Sequence, residues 1–154
     1  MPTKPATSAR ATSRGLEERV FESLMRVADH LLRGEVEVLR TEELTFPQYN
    51  VLRILRGAGR DRPSCGAIAE RMVTRDSDLT RLLDRLEERG LVKRMREESD
   101  RRVVTAEITD AGLQVLRRLD GPIDRVHRQQ LAHMTAEQLK TLQRLADEAR
   151  NGGA

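Results

Sequence analysis

The chain has 154 residues, 38% hydrophobic, 34% charged and only 2% aromatic, a length that suits one compact domain with helical extensions and not two independent cores. Lys and Arg number 28 against 25 Asp and Glu, a formal charge of +3 that is too small on its own to establish a nucleic-acid partner. No apolar run approaches the ~20 residues of a membrane span, and a lone cysteine, Cys65, leaves no internal disulfide and no Cys-rich zinc site, as expected for a cytoplasmic protein.

The position of the charges says more than their sum. Residues 1–15 carry three basic groups and no acidic one, whereas 16–45 carry four basic against eight acidic. Residues 46–109 return to a basic excess, fourteen against eleven. Twenty-five of the basic residues are Arg; this fits either a GC-rich genome or phosphate recognition by a fork-shaped donor. With no Trp, one Tyr and two Phe, the chain lacks the aromatics with which single-strand platforms and RNA-recognition sheets stack bases.

Residues 1–15, rich in Thr, Ser, Ala, Arg and Pro, read as a disordered basic arm with no apolar core of a secretory signal. Leu16, Val20, Leu24, Val27 and Leu31 then recur at helical spacing. They predict a helix to about Arg40 that is too long for a small domain to cover alone, so part of its apolar stripe is expected to meet a second chain. Thr45 and Gln48 form a capping box around Pro47 and open a helix that Gly57 and Gly59 should end. Ser64 caps a short helix carrying Ile68, Ala69 and Met72.

A helix over 76–89 follows, with Gly90 as its stop. On a wheel of about 100° per residue, Leu82, Leu83 and Leu86 fall within about 60° of Leu79. Ser77, Arg81, Asp84 and Glu88 lie on the opposite face, with Thr80 and Arg85 on its flanks. Residues 91–96 and 103–108 read as two strands around a polar loop, and Arg94, Arg96, Arg101 and Arg102 cluster on and beside that loop. Asp100 is placed to orient one of these guanidinium groups by a charge-assisted hydrogen bond. Thr109 caps a helix carrying Leu113, Leu116, Leu119, Ile123 and Val126, with a kink or break expected near Gly121-Pro122. A second capping box, Thr135 and Gln138, starts a last helix with Leu139, Leu142 and Leu145, and 151–154 should fray.

Two short helices joined by a tight turn and followed at once by a hairpin make a winged helix-turn-helix. The fold expected is mainly α with a small β-hairpin wing (α+β) and further helices at both ends. The division is a tail over 1–15, a long helix over 16–43, the DNA-binding lobe over 44–109, further helices over 110–150 and a frayed end over 151–154. The second helix can present hydroxyls and a guanidinium to the major groove, and the wing arginines can enter the minor groove or clasp phosphates. The candidate DNA-binding residues are Ser64, Ser77, Asp78, Thr80, Arg81, Arg85, Arg96, Asp100, Arg101 and Arg102. A non-specific architectural protein would share these features. An enzyme is not expected, because no Gly-rich phosphate loop, nucleophile elbow or metal-ligand spacing occurs.

The pattern Leu44-Thr45-x-x-Gln48-x-x-Val51-Leu52, then Ile68-Ala69-Glu70-Arg71-Met72, then Ser77-x-Leu79-Thr80-Arg81-Leu82-Leu83-Asp84-Arg85-Leu86 resembles the MarR family of bacterial transcription regulators. Gly90-Leu91-Val92-x-Arg94, Asp100-Arg101-Arg102 and Ile108-Thr109-x-x-Gly112 extend the likeness. The resemblance implies a homodimer in which the helix over 16–43 and the helices over 110–150 are dimerisation regions that interlock, with winged helix-turn-helix lobes from both chains on a pseudo-palindromic operator in double-stranded DNA. It maps the arginine-orienting pair of the wing onto Asp100 and Arg102, and helix contacts onto Ser77, Thr80 and Arg81. Asp78 departs from the small or hydroxyl residue common at its position; a carboxylate facing the groove would repel phosphate unless it accepted from a cytosine amino group.

Family members respond to small phenolic or aromatic ligands, to cysteine oxidation or to metals. Phe21, His30, Phe46 and Tyr49 are the candidate wall of such a ligand pocket, with Arg26 or Arg53 as counter-ion; plain core packing is the alternative. Cys65, at a helix N-terminus that should lower its pKa, is the candidate for a redox response. His30, His127 and His133 show no metal-ligand spacing, and neither a metal nor a cofactor is expected.

Overall fold

The computed structural model describes residues 15–73, 78–96 and 102–152. Six helices and one hairpin follow in order: α1 Leu16–Leu39, a 3₁₀ turn Arg40–Glu42, α2 Phe46–Ala58, α3 Cys65–Arg71, α4 Leu79–Glu88, β1 Val92–Arg96, β2 Val104–Ile108, α5 Asp110–Gln130 and α6 Ala136–Asn151. This is the mainly helical winged architecture expected. The basic arm lies outside the described residues, apart from Gly15, the cap of α1.

The helix starts are set by side chains that the spacing identifies. The Thr45 hydroxyl accepts from the Gln48 backbone N–H at 3.4 Å, while the Gln48 side chain accepts from the Thr45 N–H at 3.0 Å. Thr135 and Gln138 repeat the arrangement at 3.2 and 2.8 Å. Ser64 and Thr109 cap α3 and α5. Each satisfies N–H groups that have no intrahelical partner.

Four expectations need correction. Gly57 lies inside α2, and only Gly59, at φ 61°, ends it. The helix predicted from residue 76 begins at Leu79, because Asp78 has non-helical φ −131° and acts as the cap. The strands start at Val92 and Val104, one residue later than expected. No break occurs at Gly121-Pro122, and α5 runs through Pro122. Its Val115, Leu116, Leu119 and Ile123 are all buried, so packing on both sides of the proline outweighs the lost hydrogen bond.

The core joins the end of α1, α2, α3, α4, the hairpin and the first half of α5, with Leu39, Leu52, Leu55, Ile68, Leu83, Leu86 and Leu116 fully buried. Strands β1 and β2 are antiparallel, with Val92 opposite Ile108 and Arg96 opposite Val104. Residues 63 and 64 add a short third edge, which the sequence reading did not contain: Ala106 donates its N–H to the Pro63 carbonyl at 3.1 Å, and Ser64 bridges Thr105. Gly112 lets α5 start close under the wing. A Cβ there would sit 2.7 Å from Ile108 Cγ1 and closer still to the Leu91 carbonyl oxygen.

The stem is formed differently. Helix α1 crosses α5 at Gly34, where a Cβ would lie 2.6 Å from Val126 Cγ1. The Gln130 amide donates to the His30 carbonyl at 2.9 Å, and His127 Nε2 lies 2.7 Å from Glu35 Oε1. Beyond this crossing Leu16, Val20, Phe21, Leu24 and Val27 are exposed, and α6 buries no residue at all.

Candidate nucleic-acid interface

The surface of interest is built on α3, α4 and the wing. Ile68 and the pair Leu83–Leu86 anchor α3 and α4 in the core, and the buried Asn50 side chain accepts the Val73 N–H at 2.8 Å, tying down the exit from α3. On α4, Thr80, Arg81 and Arg85 are exposed, as the helical wheel requires. The Arg81 side chain is 70% accessible and stands in the first turn, where the helix end and a guanidinium both favour anions. Ser77 lies outside the described residues. Ser64 caps α3 through its oxygen, which accepts from the Ala67 N–H at 3.2 Å, so its hydroxyl keeps a hydrogen to donate.

Asp78 stands at the start of the helix as its cap. Its Oδ1 accepts the Arg81 backbone N–H at 3.2 Å, and its Oδ2 is 3.8 Å from the Arg81 guanidinium. A carboxylate at a helix cap is stabilised by the N–H groups it faces.

On the wing, Arg96 and Arg102 are exposed, whereas Asp100 and Arg101 lie outside the described residues. Arg94 is turned inward, against the expectation that it belongs with the groove-directed arginines. Its Nε donates to Glu87 Oε2 at 2.9 Å, one terminal nitrogen lies 2.6 Å from Asp84 Oδ1 and 2.8 Å from Glu87 Oε2, and its backbone N–H donates to Glu87 Oε1 at 2.9 Å. Hydrogen bonds from Arg94 hold Glu87 below the usual carboxylate range.

A second junction joins the reading head to the stem. Arg89, at the end of α4, donates to the Glu42 and Glu43 carbonyls, each at 2.8 Å. Glu43 is left-handed, with φ 52°. The Glu42 carboxylate accepts from Arg118 Nε and a terminal nitrogen at 2.6 and 2.8 Å. Sequence reasoning missed these residues. Their partners lie 46 to 76 positions apart, and a charged residue on a helix face gives no local sign of where its partner sits.

The candidate ligand residues are only partly brought together. Tyr49 is buried in the core, Phe46 packs against it partly buried, and the Arg53 guanidinium stacks 5.7 Å above the Tyr49 ring. Burial pushes the Tyr49 hydroxyl up, with Arg53 opposing and Glu35 adding to the rise. Phe21 and Arg26 lie on the exposed part of α1, about 21 and 13 Å along the helix from Glu35, and one chain does not bring them to Tyr49. His30 is exposed and closer to the crossing. Glu35 and His127, absent from the sequence-based candidates, are the polar pair that faces this junction.

Cys65 departs from expectation. Burial pushes its thiol up, and the nearby Arg94 charge opposes only in part. Desolvation opposes the helix N-terminus, so the thiolate is less favoured than the position in the sequence implies.

The sequence profile of the MarR family matches residues 44–104, the span from the start of α2 to the start of β2. A MarR transcription factor from Planctomyces limnophilus, known as a crystal structure, is 38% identical; the match covers 88% of this chain and 98% of that one, with a TM-score of 0.68. The chain belongs to the MarR family. A MarR family regulator from Streptomyces coelicolor, solved in complex with DNA, is 28% identical with a TM-score of 0.80, covering 92% of this chain and 94% of the other. The homoprotocatechuate degradative operon repressor of Escherichia coli is 30% identical over 72% of this chain and 74% of its own length. Matches to the first curated relatives span between 61% and 67% of their lengths. These relatives are transcription regulators, not enzymes.

Proposed function

We propose that this MarR-family chain is a dimeric, sequence-specific DNA-binding transcription regulator, a repressor of a pseudo-palindromic operator that a small phenolic or aromatic effector releases. The carrying observation is the placement of exposed Thr80, Arg81 and Arg85 on a capped helix beside exposed Arg96 and Arg102 of the wing. The helix fits the width of a major groove, and the wing arginines reach toward phosphate or the adjacent minor groove. The likeness to a relative solved on DNA supports the same orientation. Ser64, Ser77, Asp100 and Arg101 complete the proposed surface, and Asp78 serves it as a cap.

Homodimerisation through 16–43 and 110–150 is supported by the apolar side chains of α1 and α6 that one chain leaves exposed, among them Phe21, Leu24, Leu142 and Leu145. Burying such a stripe against a copy of itself is a favourable use of apolar area. The effector is assigned to the junction of α1, α2 and α5, beside the Arg53 cation that stacks over the buried Tyr49 ring; Phe46 and His30 flank it, and Phe21 or Arg26 could reach it only from a second chain. A repressor role follows the Escherichia coli relative, and such a regulator works in the cytoplasm.

Selection of bound duplexes from a random pool tests this. A single palindromic motif is expected, and Arg81→Ala should relax the preference at one position by about 1–3 kcal/mol. Arg102→Ala should weaken all sequences alike and flatten the salt dependence. Recovery of no motif would favour the architectural reading.

A further inference from the structure

Arg94 sits where a wing arginine aimed at phosphate would be expected, and its surroundings assign it another task. Its side chain is 24% accessible, against 70% for Arg81. The contacts on Nε and on one terminal nitrogen run to carboxylates of α4, Asp84 and Glu87, which lie one helical turn apart and converge on one guanidinium. A planar fork can satisfy two such acceptors at once, where an ammonium cannot hold the same geometry.

The backbone completes the arrangement. Arg94 is paired with Ala106 across the hairpin, and Ala106 turns its N–H away from β1 to the Pro63 carbonyl. At such a position the Arg94 N–H also points away from its partner strand. It would be an open edge donor, and Glu87 Oε1 accepts it at 2.9 Å. One residue therefore closes the outer edge of the wing onto α4. The same contacts place a positive charge between two carboxylates on the helix proposed to face DNA. Asp84 and Glu87 side chains remain 45% and 37% accessible, so without Arg94 both would present uncompensated charge to phosphates.

We propose that Arg94 is a positioning residue of the DNA-binding surface: it masks Asp84 and Glu87 and locks β1 to α4, so that helix and wing meet DNA as one body. The proposal rests on the DNA-binding reading and deepens it.

The test compares full-length wild type, Arg94→Met, and the triple variant Asp84→Asn/Glu87→Gln/Arg94→Met, by fluorescence anisotropy on a selected duplex, with thermal melts to establish folding. Arg94→Met is expected to lower affinity about tenfold or more. The triple variant, with the unmasked charges removed, should regain at least about threefold over Arg94→Met and keep the wild-type salt slope; the remaining deficit is the lost clamp between β1 and α4. A triple variant as weak as Arg94→Met, with a slope lowered by about 0.9, is the signature of a direct phosphate contact and overturns the proposal. So does an Arg94→Met variant that binds like wild type. Where Arg94→Met does not fold, Arg94→Gln replaces it in both the single and the triple variant, with the same expected and overturning outcomes. Wild type failing to bind any duplex defeats the DNA-binding reading itself, a result distinct from these.

Discussion

The Asp78 carboxylate accepts the backbone N–H of Arg81 at 3.2 Å and lies 3.8 Å from its guanidinium. The acidic residue that looked misplaced for a DNA-facing helix is the group that starts it. Asp78→Ala should therefore destabilise the lobe by about 1 kcal/mol, and Asp78→Asn or Asp78→Ser by much less. Urea denaturation of the three variants checks this. Equal losses for Ala and Asn would remove the capping role.

Gly112 is predicted to be intolerant of any side chain. An alanine Cβ would press on the Leu91 carbonyl and the Ile108 side chain, a backbone atom and a packed branched residue that cannot both move aside. Gly112→Ala should cost about 1–3 kcal/mol or more. Gly34→Ala meets the Gln130 and Val126 side chains instead, which can rotate, and should cost less. The midpoints of chemical denaturation give the order directly.

Acid should unpick the joints of the reading head. Hydrogen bonding from Arg118 holds Glu42 below the usual carboxylate range, and the Arg94 N–H groups hold Glu87 there too. Their folded pKa values are depressed, so their contribution is present above the unfolded value of about 4.3 and is lost as pH falls through the folded value. Glu42→Gln should lower the melting temperature at pH 7 and flatten its decline between pH 5 and pH 3. Parallel decline in wild type and variant would exclude Glu42 from the acid response.

Cys65 should behave as a packing residue. Its raised thiol pKa predicts reaction with a thiol reagent at pH 8 several-fold slower than a free cysteine, and DNA affinity unchanged after mild peroxide treatment. Rapid labelling, with loss of binding that Cys65→Ser prevents, would restore the redox reading.

The elements were legible in the sequence wherever local chemistry decides them. The capping pairs Thr45–Gln48 and Thr135–Gln138, the leucine stripe of α4 and the stop at Gly90 all operate within one or two turns, and all lie where their spacing places them. The wheel that puts Thr80, Arg81 and Arg85 outside is of the same kind. What escaped depends on distant partners. Whether Arg94 reaches into solvent or lies against α4 is set by Asp84 and Glu87 on another element, and the pairing of Glu35 with His127 by the crossing of two helices. Pro122 does not break α5 because its local cost, visible in sequence, is outweighed by the buried face of α5, which belongs to the whole fold.

The central claim is a dimer that reads sequence, and equilibrium competition binding tests it most directly. A labelled duplex carrying the selected palindrome is titrated with protein, then challenged with unlabelled palindrome and with a scrambled duplex of the same composition. Two chains per duplex and a preference of ~10³ or more for the palindrome are predicted. One chain per duplex, or equal displacement by the scrambled sequence, would contradict the account.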